Sequence, residues 1–403
     1  MNYGESMNLL KDYIKEGWGK ARKLPSGTDL DLPYALIPPS IKGELRTLYY
    51  WDTYFTNIGL IIDGHTDWAR ENVDNLLYAL NVFGCVPNYT RKDGADFCSQ
   101  PPLLCLMIQD IYRQTKDEDW LAKAVECLEK EYSFWMTERI TKIGLNQYGC
   151  NAKNEEQLVG YYEYVSTRVN LLQNISTREK MEIAKNFVAE AESGEDFTPR
   201  YANHNALDYV QIDLNAHFYG VENFLCCYFD GKDETKSLYY KNQKERRLNL
   251  IEKYCYNESK GIYCDYNFVE DKKNDIVCCA CFLPYYYGFA RKNSNPLTVY
   301  NTLKCKGGVV ACQDTGIYTY QWGYPNIWAP YQYFVYKALK NYGFGNEAEE
   351  LRGNYMRLLE RVFEDTGALW ERYDENGNAA DLEYPTQQML GWTAGVYEYF
   401  LEK

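Results

Sequence analysis

Apolar residues recur at helical spacing in segment after segment of this 403-residue chain, and only short strand-like pieces lie between them. TDWARENVDNLLYALNVFG (66–84) is representative. Trp68, Val73, Leu76, Leu77 and Leu80 fall on one stripe, Thr66 stands where an N-cap belongs, and Gly84 where the helix should stop. SQPPLLCLMIQDIYRQ (99–114) places two prolines at a helix start, where their missing N–H groups cost little. The same pattern predicts helices over 117–140, 213–229, 234–255, 329–343 and 346–364. GIYCDYNF (261–268), GIYTYQW (316–322) and GALWERYD (367–374) read as short strands. The count comes to roughly eleven or twelve helices, without the strand–helix alternation that a doubly wound sheet requires. No Pro/Ser/Gly-rich linker divides the chain. One all-α domain of paired helices over 1–403 is expected, with functional residues in its loops.

Composition narrows the function classes. Hydrophobic residues make up 46% of the chain, enough for a large core. No run of about 18 apolar residues is present to span a membrane. The first segment, MNYGESMNLLKDYIKEGW, is amphipathic and carries acids, unlike a signal peptide. A net charge of -14 disfavours nucleic acid and anionic membranes as partners. Without a secretory signal, the 14 cysteines read as reduced, mostly buried thiols of a cytosolic protein rather than as a disulfide or zinc framework. Neither a metal nor an organic cofactor is expected. His65, His204 and His217 are the only histidines and read as structural, so acid–base work falls to carboxylates. The 40 tyrosines fit either an aromatic core or a sugar site, where ring faces meet pyranose C–H groups.

AESGEDFTPRY (191–201) crowds Glu192, Glu195 and Asp196 around Gly194. Alone, it could be a solvated turn or a catalytic loop. It belongs to an ordered set: YYWDTYF (49–55), CVPNYTRKDGADFCSQPPLL (85–104), FLPYYYGFA (282–290), YQWGYPNIWAPYQYF (320–334) and LWERYDENGNAADLEYPTQQMLGWTAGV (369–396). In this order the motifs resemble the trehalase family of glycoside hydrolases and its inverting α-glucosidase relatives, from about residue 34 to the C-terminus. The resemblance implies an (α/α)6 barrel, a small carbohydrate substrate, and cleavage of an α-glycosidic bond with inversion. Asp196, in Ser-Gly-Glu-Asp-Phe-Thr-Pro-Arg, takes the place of the general acid, and Glu371, in Glu-Arg-Tyr-Asp, that of the base. Glu383 matches a further acid of the site. Trp51, Asp52, Asn88, Arg91, Gln100, Glu195, Arg200, Trp322 and Trp328 take substrate-binding places.

The pairing is chemically coherent. An inverting hydrolase needs a protonated carboxyl at the leaving oxygen and an ionised one roughly 6.5–9.5 Å away, with water between. Phe197 and Trp370 supply neighbouring apolar surface that desolvates an acid. Departures fall on the groups that grip sugar: Glu44, Thr47 and Cys98 stand where the family has Arg, Glu and Arg. Trehalose is the substrate the resemblance implies by default. The alternatives are another α-linked sugar, such as an oligosaccharide glucoside or a glycosyl-glycerate, and a carbohydrate-binding relative without catalysis. The sequence leaves the oligomeric state open.

Overall fold

The computed structural model describes residues 3–25, 30–43, 45–171, 174–201, 203–377, 382 and 385–403. Among them the helices run α1 Tyr3–Ala21, α2 Tyr50–Ile62, α3 Thr66–Phe83, α4 Leu104–Thr115, α5 Glu118–Glu138, α6 Glu155–Arg168 and α7 Thr177–Glu192. They continue as α8 Ile212–Phe229, α9 Glu234–Tyr254, α10 Leu283–Tyr286, α11 Pro296–Leu303, α12 Ala329–Asn341, α13 Gly345–Thr366 and α14 Gly391–Leu401.

A helix that is apolar on every side must be enclosed by protein, whereas one with a single apolar stripe can face water. The helices sort by this rule. Every residue of α2 from Tyr50 to Leu60 is buried, while α9 buries only Ser237, Tyr240, Arg247 and Ile251. Helices α2, α4, α8, α10, α12 and α14 form a closed inner ring, each packing on the next and α14 returning to α2. Around it, α3, α5, α9 and α13 back onto α2, α4, α8 and α12, and α1 packs on α13. This is an (α/α)6 barrel. Helices α6 and α7 pack on each other as a hairpin with a small core of its own around Leu158, Tyr162 and Ala184.

Ring closure is a backbone contact. A Cβ on Gly59 of α2 would lie 2.8 Å from Cα of Gly395 in α14, and a Cβ on Gly395 would overlap the carbonyl oxygen of Phe55. Only glycine permits this approach.

Local departures from the sequence pattern have identifiable causes. His65, not Thr66, precedes α3, although Gly84 does end it in the left-handed conformation at φ 80°. Helix α4 starts at Leu104 with Leu103 as its N-cap, so Pro101 and Pro102 precede the helix rather than open it. The 316–322 segment forms no strand; its last two residues, Gln321 and Trp322, turn into the site described below. Of 367–374 only Arg372–Tyr373 is a strand, paired antiparallel with Ile327–Trp328. The α6–α7 hairpin has no counterpart among the segments read from periodicity. Yet α7 opens on a capping box, Ser176 with Glu179, which the sequence displays. Cys278 and Cys281 do form one C-x-x-C pair; it is buried, and a thiol hydrogen bond joins the two. No group of three or more His, Cys, Asp or Glu among the described residues is arranged to hold a metal. No helix among them is long and apolar enough to cross a membrane.

Beneath the 193–200 loop lies a buried ionic knot. Arg200, with 0% exposure, reaches Glu195 at 3.1 Å, Asp213 of α8 at 2.6 Å and Asp265 at 2.7 Å. Tyr331 of α12 donates a further hydrogen bond to Glu195. Glu195 and Arg200, expected on the substrate, therefore face each other: neither lines the cavity, because a buried guanidinium draws every nearby carboxylate.

Two outcomes follow. Gly395→Ala should lose about 3 kcal/mol of unfolding free energy, the upper end for overpacking, read by urea titration; a change near zero would show that α2 and α14 can separate freely. Glu195 is pushed up to about 7, chiefly by burial against the pull of Arg200. A carboxyl whose folded pKa is raised contributes most stability below its unfolded value, and loses that contribution as pH rises through the folded one. Between about pH 5 and about pH 8 the wild type should therefore lose about 2 kcal/mol more than Glu195→Gln. Parallel pH dependences would contradict this.

Candidate active site

Loops from several parts of the chain, the first turn of α2 and one face of α6 (Glu156, Gln157, Gly160, Tyr161, Tyr164 and Arg168) converge on one cavity of about 900 Å³. Trp51, Asp52, Asn88, Gln100, Asp196, Trp322, Trp328 and Glu371 all line it, and Trp392 of α14 joins them. Residues 175 positions apart in sequence, Asp196 and Glu371, thus share one chamber.

The tryptophans build its walls. Trp322 stacks on Trp328 with ring centroids 3.9 Å apart, and Trp51 lies 5.6 Å from Trp322 and 5.9 Å from Trp392. Gly194, at φ 77°, lies against the Trp51 indole so closely that a Cβ would stand 2.8 Å from it. Flat apolar faces with a few convergent polar groups suit a sugar ring. The polar groups are held from behind. Oε1 of Gln100 accepts the Trp51 backbone N–H at 3.2 Å, satisfying an orphan donor at the start of α2. Asn88 donates to the Cys98 thiol, while its Oδ1 has no hydrogen-bond partner among the described residues.

The three acids of the 191–201 stretch separate. Glu192 ends α7 with both oxygens on Arg139, at 2.7 and 2.9 Å, and also accepts the backbone N–H groups of Ser99 and Gly149. It ties the Gln100 loop to α7. Glu195 turns down into the ionic knot. Asp196 turns the other way, into the cavity. The reversal comes from a tight loop in which Gly194 and then Phe197 take positive φ, 77° and 58°. For Phe197 that is strain of order 1–3 kcal/mol. Its ring is held between Phe187, 5.7 Å away, and the Arg168 guanidinium, 4.1 Å away.

Electrostatics distinguish the carboxyls. Burial raises Asp196, with Arg168, its own backbone N–H, the Trp322 indole and Arg372 pulling the other way. Burial first, and then the charges of Glu371 and Asp196, push Asp52 well above the ordinary range. Glu371, 7% exposed, is fixed by a backbone hydrogen bond to Gln387 and by the Trp392 indole N–H on its carbonyl, both near 3 Å. Arg372 stands 3.7 Å from its carboxylate.

Other expected contacts fall elsewhere. Arg91 is half-exposed, 3.2 Å from Asp93 and over the Tyr89 ring; it is not on the cavity wall, because a nearby carboxylate holds it in solvent. Glu383 and Glu44 lie outside the described residues. Thr47 bonds Thr90 at 2.7 Å, away from the lining, whereas Cys98 lines it. The histidines are structural in their contacts: His65 stacks on Trp68, His204 bridges Glu190 and Tyr320, and His217, lowered to about 4 by burial, meets Tyr287. The sequence reading missed Arg168, the one cation among the described lining residues, and Gln321. Arg168 closes a helix that carried no motif. Gln321 precedes Trp322 within a motif and could have been taken with it.

Comparison with known proteins agrees with this architecture. A sequence model of the trehalase family matches residues 29–403. The periplasmic trehalase of Salmonella dublin is 28% identical over 397 residues, covering 91% of this chain and 68% of that protein. The periplasmic trehalase of Salmonella paratyphi A is 29% identical over 396 residues, with the same shares covered. Among solved structures, the neutral trehalase of Saccharomyces cerevisiae superposes with a TM-score of 0.77 at 23% identity, covering 92% of this chain and 73% of that one. A mannosylglycerate hydrolase from Thermus thermophilus in complex with glucose gives 0.64 at 13%, covering 98% of this chain and 100% of that one. The α/α barrel, the shared carboxylate chamber and a match along nearly the whole sequence place the chain in the trehalase family of glycoside hydrolases.

Proposed function

We propose that the enzyme hydrolyses α,α-trehalose to two glucose molecules with inversion at the attacked carbon. The observation that carries this reading is that two carboxyls, the partly buried Asp196 and the buried Glu371, face one tryptophan-walled cavity. One glucosyl ring lies against the Trp51, Trp322 and Trp392 faces, with Asp52, Asn88 and Gln100 bonding its hydroxyls. Asp196, its pKa raised by burial, gives its proton to the glycosidic oxygen. Glu371 takes a proton from water as that water attacks the opposite face of the ring. Burial first, and then the charge of Glu371, push Asp52 well above the ordinary carboxylate range, which favours its neutral form beside the base. An oligosaccharide glucoside, a glycosyl-glycerate or simple sugar binding without turnover is less favoured, since the curated relatives are themselves named trehalases.

The compartment we infer is the cytosol. All 14 cysteines are unpaired and most are buried, as suits a reducing environment, although the curated relatives cited are named periplasmic.

Proton NMR during trehalose hydrolysis should show one α- and one β-glucose released per turnover, because only the attacked carbon inverts. Release of α-glucose alone, or no release, would contradict the reading. Asp196→Asn and Glu371→Gln should each lower kcat by about 10²–10⁴ without loss of fold.

A further inference from the structure

An acid catalyst has two carboxyl oxygens, and only one can face the leaving group. Nε2 of Gln321 donates to Oδ2 of Asp196 at 2.9 Å. We propose that Gln321 is a positioning residue for the reaction: by engaging Oδ2 it confines the Asp196 proton to Oδ1, the oxygen left to meet the glycosidic bond. The inference rests on Asp196 being the proton donor.

The setting of Gln321 is that of a built support. It is 2% exposed, in a segment without regular structure. Its own carbonyl accepts the Trp328 indole N–H at 2.9 Å. The next residue, Trp322, stacks on Trp328 and donates its backbone N–H to the carbonyl of Phe197 at 3.3 Å. The 321–322 pair thus grips the acid's loop twice, once through the Asp196 side chain and once through the Phe197 backbone. Both grips come from a segment anchored on a stacked tryptophan pair rather than on a mobile tip. An N–H facing Oδ2 makes a proton there unfavourable, since two hydrogens would then compete for one oxygen. The same N–H favours the ionised carboxyl, so its loss should lift the acid's titration.

Other groups act on Asp196 from the elements packed around it: Arg168 and Tyr161 of α6, Glu190 of α7, Asp52 of α2, and Arg372 beside Glu371. These groups act on Asp196 through charge, and the Trp322 indole adds a hydrogen bond from the same segment, whereas Gln321 is fixed on Oδ2, so its role is separable from theirs.

Gln321→Glu keeps the shape and replaces the donor with a second carboxyl. The titration of Asp196, followed by carbon NMR of labelled aspartates and assigned against Asp196→Asn, should move up by about one unit or more. The alkaline limb of kcat/KM should move with it. On trehalose kcat should fall about tenfold or more, with KM within about twofold, whereas α-glucosyl fluoride, whose leaving group needs little protonation, should lose under about threefold. Gln321→Asn, which withdraws the amide by one carbon, should show the same trehalose-selective loss, and supplies both measurements if the glutamate variant does not fold. Equal losses on the two substrates, or an unmoved Asp196 titration, would overturn the inference. If the wild type releases no glucose from trehalose, the proposed function fails instead, and the carbon NMR titration still decides the role of Gln321.

Discussion

One guanidinium organises this site without touching the cavity. Arg200 gathers Glu195, Asp213 and Asp265 into a cluster with almost no water, and each partner belongs to a different stretch of the chain. Burying so many charges is tolerable only when geometry and hydrogen bonding are complete. Here Arg200 meets Asp265 through two nitrogens, at 2.7 and 2.8 Å, and Tyr331 supplies a further donor to Glu195. Asp213 is held below the ordinary carboxylate range by Arg200 against its burial, while Glu195 is pushed up. One cation facing three acids leaves an excess of negative charge, and the acid with the raised pKa is where a proton can offset it. The loop above inherits its shape from this anchor.

Adjacent acids consequently have opposite surroundings. Glu195 points into the anchor and Asp196 into the chamber because left-handed backbone at Gly194 and Phe197 turns the chain over between them. A helix would set neighbouring side chains only about 100° apart, whereas the turn through Gly194 and Phe197 sends these two into separate environments. The strain at Phe197 is offset by its packing between Phe187 and Arg168, in a small core formed by the α6–α7 hairpin. The hairpin outside the ring is in this sense part of the chamber's construction.

Much of this was legible in the sequence, for physical reasons that also mark where reading stops. Periodicity announced α3, α5, α8, α9, α12 and α13, because a helix against a core must repeat its apolar stripe. The order of motifs announced the chamber and the eight expected residues that line it. What composition and spacing do not encode is which way a polar side chain turns. Glu195 and Arg200 lay in the right motif and turned inward to each other. Arg91 found Asp93 in solvent. The 316–322 stretch looked like a strand by its aromatics, yet its residues are spent individually: Tyr320 on His204, Gln321 on Asp196, Trp322 on Trp328. Arg168 was invisible because its helix offers no motif.

The small sheet between Ile327–Trp328 and Arg372–Tyr373 has a further consequence. One strand starts at Ile327, a short turn beyond the Gln321–Trp322 segment that supports Asp196, and the other begins at the residue after Glu371. Two rungs of backbone pairing therefore act as a caliper, tying the chain just beyond Gln321 and Trp322 to the chain that carries Glu371. A catalyst that relies on a single water fitting between two groups gains from having that spacing written in backbone hydrogen bonds rather than in the packing of distant helices.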